Sequence, residues 1–184
     1  RLALLLTAAS VPVVAFGLVL HMTGLDVAMR SITVIGWAML IFGLLLYWSD
    51  QAGGTHKTDR DWNLQDAMVM GVWQAIALIP GTSRAGITIT GARFMGYNRH
   101  DSAKLAMLMS IPTIAASGVL LGVESVFTTN IGILKDALIA AVLACGAALL
   151  ALSLMMRLLQ SVSYTPYVIY RIILGVVLLV IAYS

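Results

Sequence analysis

The sequence predicts an all-α, polytopic membrane protein, and three observations carry that prediction. Of its 184 residues, 60% are hydrophobic and only 10% are charged, with a mean hydropathy of +0.96. A soluble domain of this size needs far more polar side chains to cover its surface. Several apolar runs approach the roughly 20 residues that cross a bilayer. The short alternating strands of a membrane β-barrel do not occur in the sequence. Residues 1–184 therefore read as a single membrane domain. The net charge of +3 is scattered between the apolar runs, which argues against a nucleic-acid partner.

Residues 2–20 and 31–48 read as two spanning helices joined by HMTGLDVAMR. The most polar stretch follows, SDQAGGTHKTDRDWN (49–63), with Gly53 and Gly54 as a loop signal. Residues 64–79 are moderately apolar but carry Gln65, Asp66 and Gln74. A helix there places Asp66, Met70, Gln74 and Leu78 on one face. Gln74 then either bonds a neighbouring helix or lines a site, and both readings stay open. Residues 86–96 are weakly helical, and YNRHDSAK (97–104) reads as a second polar loop. Residues 105–122 form a spanning helix that Pro112 should kink, freeing a backbone carbonyl. Spans at 135–157 and 167–183 complete the set, with Pro166 suited to the first turn of the last.

The segments 64–79 and 86–96 fit either a full crossing or a re-entrant hairpin with its tip at 80–84. At 1.5 Å per residue the arms are roughly 24 Å and 16 Å long. Both fall short of the ~30 Å hydrocarbon core. The hairpin places Arg1, Lys57, Arg60, Arg93, Arg99, Lys104, Arg157 and Arg171 on one side, with only Arg30 and Lys135 opposite. A full crossing flattens that asymmetry. Since cytoplasmic loops collect basic residues, the hairpin is the better topology, with the basic side cytoplasmic. The expectation is about five spanning helices plus one re-entrant hairpin, 64–96.

Residues 77–91, ALIPGTSRAGITITG, carry the chemistry. Irregular backbone at membrane depth is tolerated only against protein or a water-filled cavity, and a charge there points to function. Pro80 ends one arm, and Gly81 permits a tight turn. Ser83 offers a hydroxyl and Arg84 a planar cationic fork. The amides of 84–87 should be free where the second arm starts, with Thr88 nearby. Such a constellation suits phosphate oxygens. Arg84 could instead pair with a carboxylate, but the nearest in sequence, Asp66 and Asp101, fall at loop ends. Cys145, in an apolar helix, reads as a small core hydrophobe. His21, His56 and His100 fall in loops without metal-site spacing.

GVWQAIALIPGTSRAGITITGARFMGYNRHDSAKLAMLMSIPTI (71–114) closely resembles the second signature region of the bacterial undecaprenyl-diphosphate phosphatases, also known as bacitracin-resistance proteins. The matching positions are Gln74, Ala77, Leu78, Pro80, Gly81, Ser83, Arg84, Gly86 and Thr88. SYTPYVIYRIILG (163–175) resembles the family's last helix, and Ala85 departs from a position that is often serine. The resemblance implies hydrolysis of undecaprenyl diphosphate to the monophosphate, recycling the lipid carrier of cell-wall synthesis in the bacterial inner membrane. It makes Arg84, Ser83 and Thr88 catalytic, and Gly81, Thr82, Gly86 and Gln74 substrate-binding. It implies an inverted-repeat fold in which two hairpin tips meet. It also implies a divalent cation, Mg²⁺ or Ca²⁺, whose ligands belong to an E-x-x-x-E and S-S-x-G-H signature that this sequence lacks. The only glutamate is Glu124, and the chain opens on Arg1 rather than methionine. The expectation is thus about the last two-thirds of an enzyme, inactive alone, with no metal ligands of its own. The alternative is a transporter or flippase of a lipid-linked anion, since paired hairpins and kinked helices also build transporters. Assembly as a homodimer is left open.

Overall fold

A computed structural model of the protein describes residues 2–25, 29–126, 131–158 and 163–184. Arg1, counted above among the basic residues, lies outside them, as do the side chains of Glu124 and Lys135. The described residues form seven α-helices: α1 (Leu2–Thr23), α2 (Ile32–Ala52), α3 (Leu64–Ile76), α4 (Arg84–Phe94), α5 (Arg99–Val126), α6 (Ile131–Leu158) and α7 (Thr165–Tyr183). The protein is an all-α, polytopic membrane protein. Helices α1, α2 and α7 are each long and apolar enough to cross a bilayer. Helices α5 and α6 have 28 residues each, about 42 Å at 1.5 Å per residue.

Helices α3 and α4 are the two short arms. With 13 and 11 residues they reach only ~20 Å and ~16 Å, and they pack against each other as a helical hairpin. Their outer ends are tied together. The Lys57 amide donates to the Gly96 carbonyl at 2.9 Å, and the Asn98 amide donates to the Lys57 carbonyl at 3.0 Å. The Tyr97 hydroxyl donates to Asp66 at 2.6 Å, and Lys57 pairs with the same carboxylate at 3.1 Å. Between the arms, Trp73 lies so close to Gly91 that a Cβ there would meet its ring at 2.5 Å. The tip rests on α2, where a Cβ at Gly81 would fall 2.6 Å from the Ile35 carbonyl oxygen. Ile35 is about 26 Å along α2 from Ala52, so the tip lies well away from the hairpin base.

A polar lock holds that base. Arg93, buried in the last turn of α4, donates to four carbonyls at 2.7–3.0 Å: Asp50, Gly53, Gly54 and Tyr97. Its Nε lies 3.5 Å from the Asp50 carboxylate. Arg99 binds that carboxylate through two nitrogens, at 2.7 and 3.2 Å, and the Tyr164 hydroxyl donates to the Arg99 carbonyl at 2.7 Å. Helices α2, α4, α5 and the start of α7 are thereby joined in one buried network, which is how a charge survives burial.

Three details depart from the sequence reading. Helix α5 starts at Arg99 inside the stretch read as a loop, because Asn98 caps it by accepting from the Asp101 amide at 2.8 Å. Arg171, counted with the basic loops, is buried in α7 and donates to the Gly81 carbonyl at 2.7 Å. Cys145, read as a core residue, is exposed on α6, a helix that touches little of the bundle beyond α5.

Candidate active site

The hairpin tip is built from residues that few other sequences would hold in place. After Ile76 the chain leaves the helix, and Gly81 takes φ 90°, which costs nothing without a Cβ. Ser83 also has a positive φ, 69°. Among the described residues it is the only non-glycine that does. Strain of this kind, on the order of 1–3 kcal/mol, gathers at functional sites. Ser83 caps α4 by accepting the Gly86 amide at 3.2 Å, and its carbonyl accepts the Ile87 amide at 3.0 Å. Of the four amides expected to be free, two are therefore taken. Those of Arg84 and Ala85 make no hydrogen bond among the described residues.

Arg84 makes no ion pair or hydrogen bond through its side chain among the described residues. Asp66 is engaged with Lys57 and Tyr97, and Asp101 with Asn98 and His100. Half-buried, Arg84 lines a cavity of about 360 Å³ between α1, α3 and α5. Around it stand Gln74, Thr113, Ser117 and His21, while Val13, Val14, Leu18, Leu20 and Leu78 make the walls apolar. His21, read as a loop residue, belongs to α1 and reaches this cavity. Gln74 satisfies both readings offered for it. Its Nε2 donates to Thr113 Oγ1 at 2.7 Å across to α5, and the residue lines the cavity. Because Thr113 already donates to the Met109 carbonyl at 2.9 Å, the amide orientation is fixed. Gln74 Oε1 is left buried with no partner.

On the other flank of the tip, the Ser83 hydroxyl lies 2.9 Å from the Tyr167 hydroxyl. Arg171 stacks over the Tyr167 ring, 5.8 Å from its centroid, and clamps the Gly81 carbonyl. A Cβ on Gly86 would stand 3.2 Å from an Arg171 guanidinium nitrogen. Thr82 is fully buried, its hydroxyl without a partner. Thr88, expected beside the anion, is buried and turns its hydroxyl to the Arg84 carbonyl at 2.9 Å. The tip thus gathers Gly81, Thr82, Ser83, Arg84 and Gly86, with Gln74 beside Arg84 in the cavity. Sequence reasoning missed Arg171, Tyr167 and Thr113. Arg171 stood in plain view as a charge one turn inside an apolar helix, but it was counted with the loop instead.

Among the described residues no three His, Cys, Asp or Glu side chains gather as a metal would require. No carboxylate lines the cavity. The residues present do not fit a divalent cation.

Comparison with known proteins agrees with this architecture. Residues 1–177 match the family model described as bacitracin resistance protein BacA. The undecaprenyl-diphosphatase of Jannaschia sp. is 62% identical over 184 residues, covering 100% of this chain and 69% of the relative. That of Dinoroseobacter shibae is 64% identical over 183 residues, 100% of this chain and 68% of the relative. The undecaprenyl-diphosphatase of Hahella chejuensis is 39% identical over 183 residues, again 100% and 68%. With nearly its whole length matched, and a hairpin tip that gathers Gly81, Ser83, Arg84 and Gly86 of the motif, the chain belongs to the bacitracin resistance protein BacA family.

Proposed function

We propose that the protein hydrolyses undecaprenyl diphosphate to undecaprenyl phosphate and phosphate, in the bacterial inner membrane, and so recycles the lipid carrier of cell-wall synthesis. One observation carries this reading: Arg84, with no protein partner among the described residues, lines a largely apolar cavity together with Gln74, Thr113, Ser117 and His21. Such a cavity suits an amphiphile with an anionic head. The diphosphate would lie against the Arg84 guanidinium and the amides of Arg84 and Ala85, where a helix N-terminus favours negative charge. Gln74 and Thr113 would orient it, and the first prenyl units would follow the α1 wall of Val13, Val14 and Leu18. As the anhydride bond breaks, charge grows on the phosphate oxygens. A guanidinium already in place stabilises that charge more than it stabilises the ground state.

The relatives named undecaprenyl-diphosphatase support hydrolysis, and the transport alternative gains nothing from them. No step is assigned on this chain to the Mg²⁺ or Ca²⁺ that the resemblance implies, since its cavity residues do not fit one. The test is phosphate release from undecaprenyl diphosphate by the full-length protein in detergent. Arg84→Ala should lower kcat/KM by about 10³-fold or more, roughly 4 kcal/mol of transition-state stabilisation. Arg84→Lys should recover little, because an ammonium lacks the planar fork. Equal activity in Arg84→Ala and the unaltered protein would refute the site. An unaltered, folded protein that releases no phosphate would refute the reaction.

A further inference from the structure

A hydroxyl has one hydrogen to give and two lone pairs to fill. At Ser83 Oγ one lone pair takes the Gly86 amide, at 3.2 Å, and the Tyr167 hydroxyl stands 2.9 Å away. Of these two hydroxyls a phenol is intrinsically the stronger hydrogen-bond donor and an aliphatic hydroxyl the better acceptor. When Tyr167 donates, both lone pairs of Ser83 are filled and its own O–H must point out of the pair. Among the described residues nothing accepts that hydrogen. The phenol is held in this position from α7. The Arg171 guanidinium lies over the Tyr167 ring, and the same guanidinium is anchored on the Gly81 carbonyl at 2.7 Å. Serine, tyrosine and arginine therefore form one chain of contacts, ending in a donor at the hairpin tip.

We propose that Tyr167 is a positioning residue that fixes Ser83 as a hydrogen-bond donor to a phosphoryl oxygen, and not as a nucleophile. The proposal rests on the hydrolytic reading above and says how one residue of that site acts. A serine nucleophile needs a free lone pair and a base beside it. With Tyr167 as the donor both lone pairs are engaged, and no carboxylate or imidazole among the described residues touches Ser83. A preorganised donor is what a phosphoryl-transfer centre can use, because its task is to hold charge as the bond breaks.

The experiment measures kcat and KM for phosphate release from undecaprenyl diphosphate, in full-length protein. The variants are Tyr167→Phe, Ser83→Ala, the double variant and Ser83→Cys, with melting temperature in detergent as the control for folding. Tyr167→Phe keeps the ring beneath Arg171 and removes only the hydroxyl. It should lower kcat about tenfold and move KM less than about twofold, the signature of an interaction made chiefly in the transition state. In the Ser83→Ala background the same change should have no further effect, since the two groups act as one unit. Ser83→Cys should be as impaired as Ser83→Ala, because a thiol is a weak donor though a strong nucleophile. Losses from Tyr167→Phe and Ser83→Ala that simply multiply would overturn the proposal. So would an unimpaired Tyr167→Phe, or a Ser83→Cys variant that turns over or accumulates a phosphocysteine. If the unaltered protein releases no phosphate, the hydrolytic reading falls and takes this proposal with it. The variant pattern, by contrast, decides this proposal alone.

Discussion

Two arginines open and close the same short helix, and their surroundings could hardly differ more. Arg93, in the last turn of α4, donates to four backbone carbonyls and faces the Asp50 carboxylate. Arg84, at the first position of α4, has no protein partner among the described residues. The contrast extends to their neighbours. Around Arg93, Asp50 is held by Arg99 through two nitrogens, and Asp66 by Lys57 and Tyr97. Around the tip, Gln74 Oε1, Thr82 Oγ1 and Arg171 Nε are buried without hydrogen-bond partners, while at the base Trp62 Nε1 is likewise unpartnered and Arg93 Nε has only its 3.5 Å approach to Asp50. The difference that matters is charge: the guanidinium of Arg93 is met by four carbonyls and a carboxylate, and that of Arg84 by no side chain or carbonyl among the described residues. On the function proposed above, the unmet charge at the tip is a place for a ligand, while the base is a place made to hold.

The sharpest way to break that comparison is to remove each arginine and read stability in place of activity. Arg93→Ala leaves the Asp50 carboxylate with one partner fewer and four carbonyls short of a donor in a buried setting. Losing one partner of such a pair costs about 3–5 kcal/mol. For a chain of this size that means a fall in melting temperature on the order of 10 °C, from roughly 2–4 °C per kcal/mol. Arg84→Ala should leave melting unchanged or slightly raised, since it removes a desolvated charge that nothing in the protein repays. Thermal unfolding of the two variants in the same detergent decides the matter. Comparable losses from both would make Arg84 structural and erase the distinction between tip and base.

A smaller effect sharpens the base. The Tyr97 phenol is buried, and burial together with its hydrogen bond to Asp66 holds its pKa well above the ordinary tyrosine range. The neutral form is thus favoured by folding. Its contribution is fully present below the unfolded value of about 10 and is lost as pH rises above it. Tyr97→Phe should cost about 1.5–3 kcal/mol at neutral pH, the range for a hydrogen bond to a charged group. It should also flatten the decline in melting temperature between pH 9 and 11. A decline just as steep in the variant would assign the alkaline sensitivity elsewhere.

These regions were not equally legible in the sequence. The helix–turn–helix could be read because two short helical runs flank a Pro-Gly turn. Arg84 could be read because a charge amid apolar runs needs a reason. The base lock was invisible, since its partners are backbone carbonyls of Asp50, Gly53, Gly54 and Tyr97, and carbonyls leave no signature in a sequence. The early start of α5 was legible in principle: Asn98 followed by Asp101 is a helix-cap pattern, outweighed by the polarity of the stretch. Tyr167 and Thr113 come to the site from helices far away in the chain, so only the fold brings them together. Thr88, expected near the anion, lies one turn on from Arg84 in α4. At that spacing a threonine can just as well bond its own helix, and here it does.

The smallest effect is also the one whose sign carries information. Thr82 and Thr113 are both buried, yet among the described residues one hydroxyl is idle and the other is not. Thr113 accepts from Gln74 at 2.7 Å and donates to the Met109 carbonyl at 2.9 Å. Replacing it with valine strands the Gln74 amide and should cost about 1–3 kcal/mol. Thr82 Oγ1 has no partner, so Thr82→Val removes a desolvated hydroxyl at nearly constant shape and should gain up to about 1 kcal/mol in the free protein. If that hydroxyl serves the diphosphate, the gain in melting temperature comes with a loss in kcat/KM. If it serves nothing, stability rises and turnover is untouched. A fall in melting temperature would mean that the hydroxyl is satisfied within the folded protein, and that the tip is less a vacancy than its contrast with the base implies.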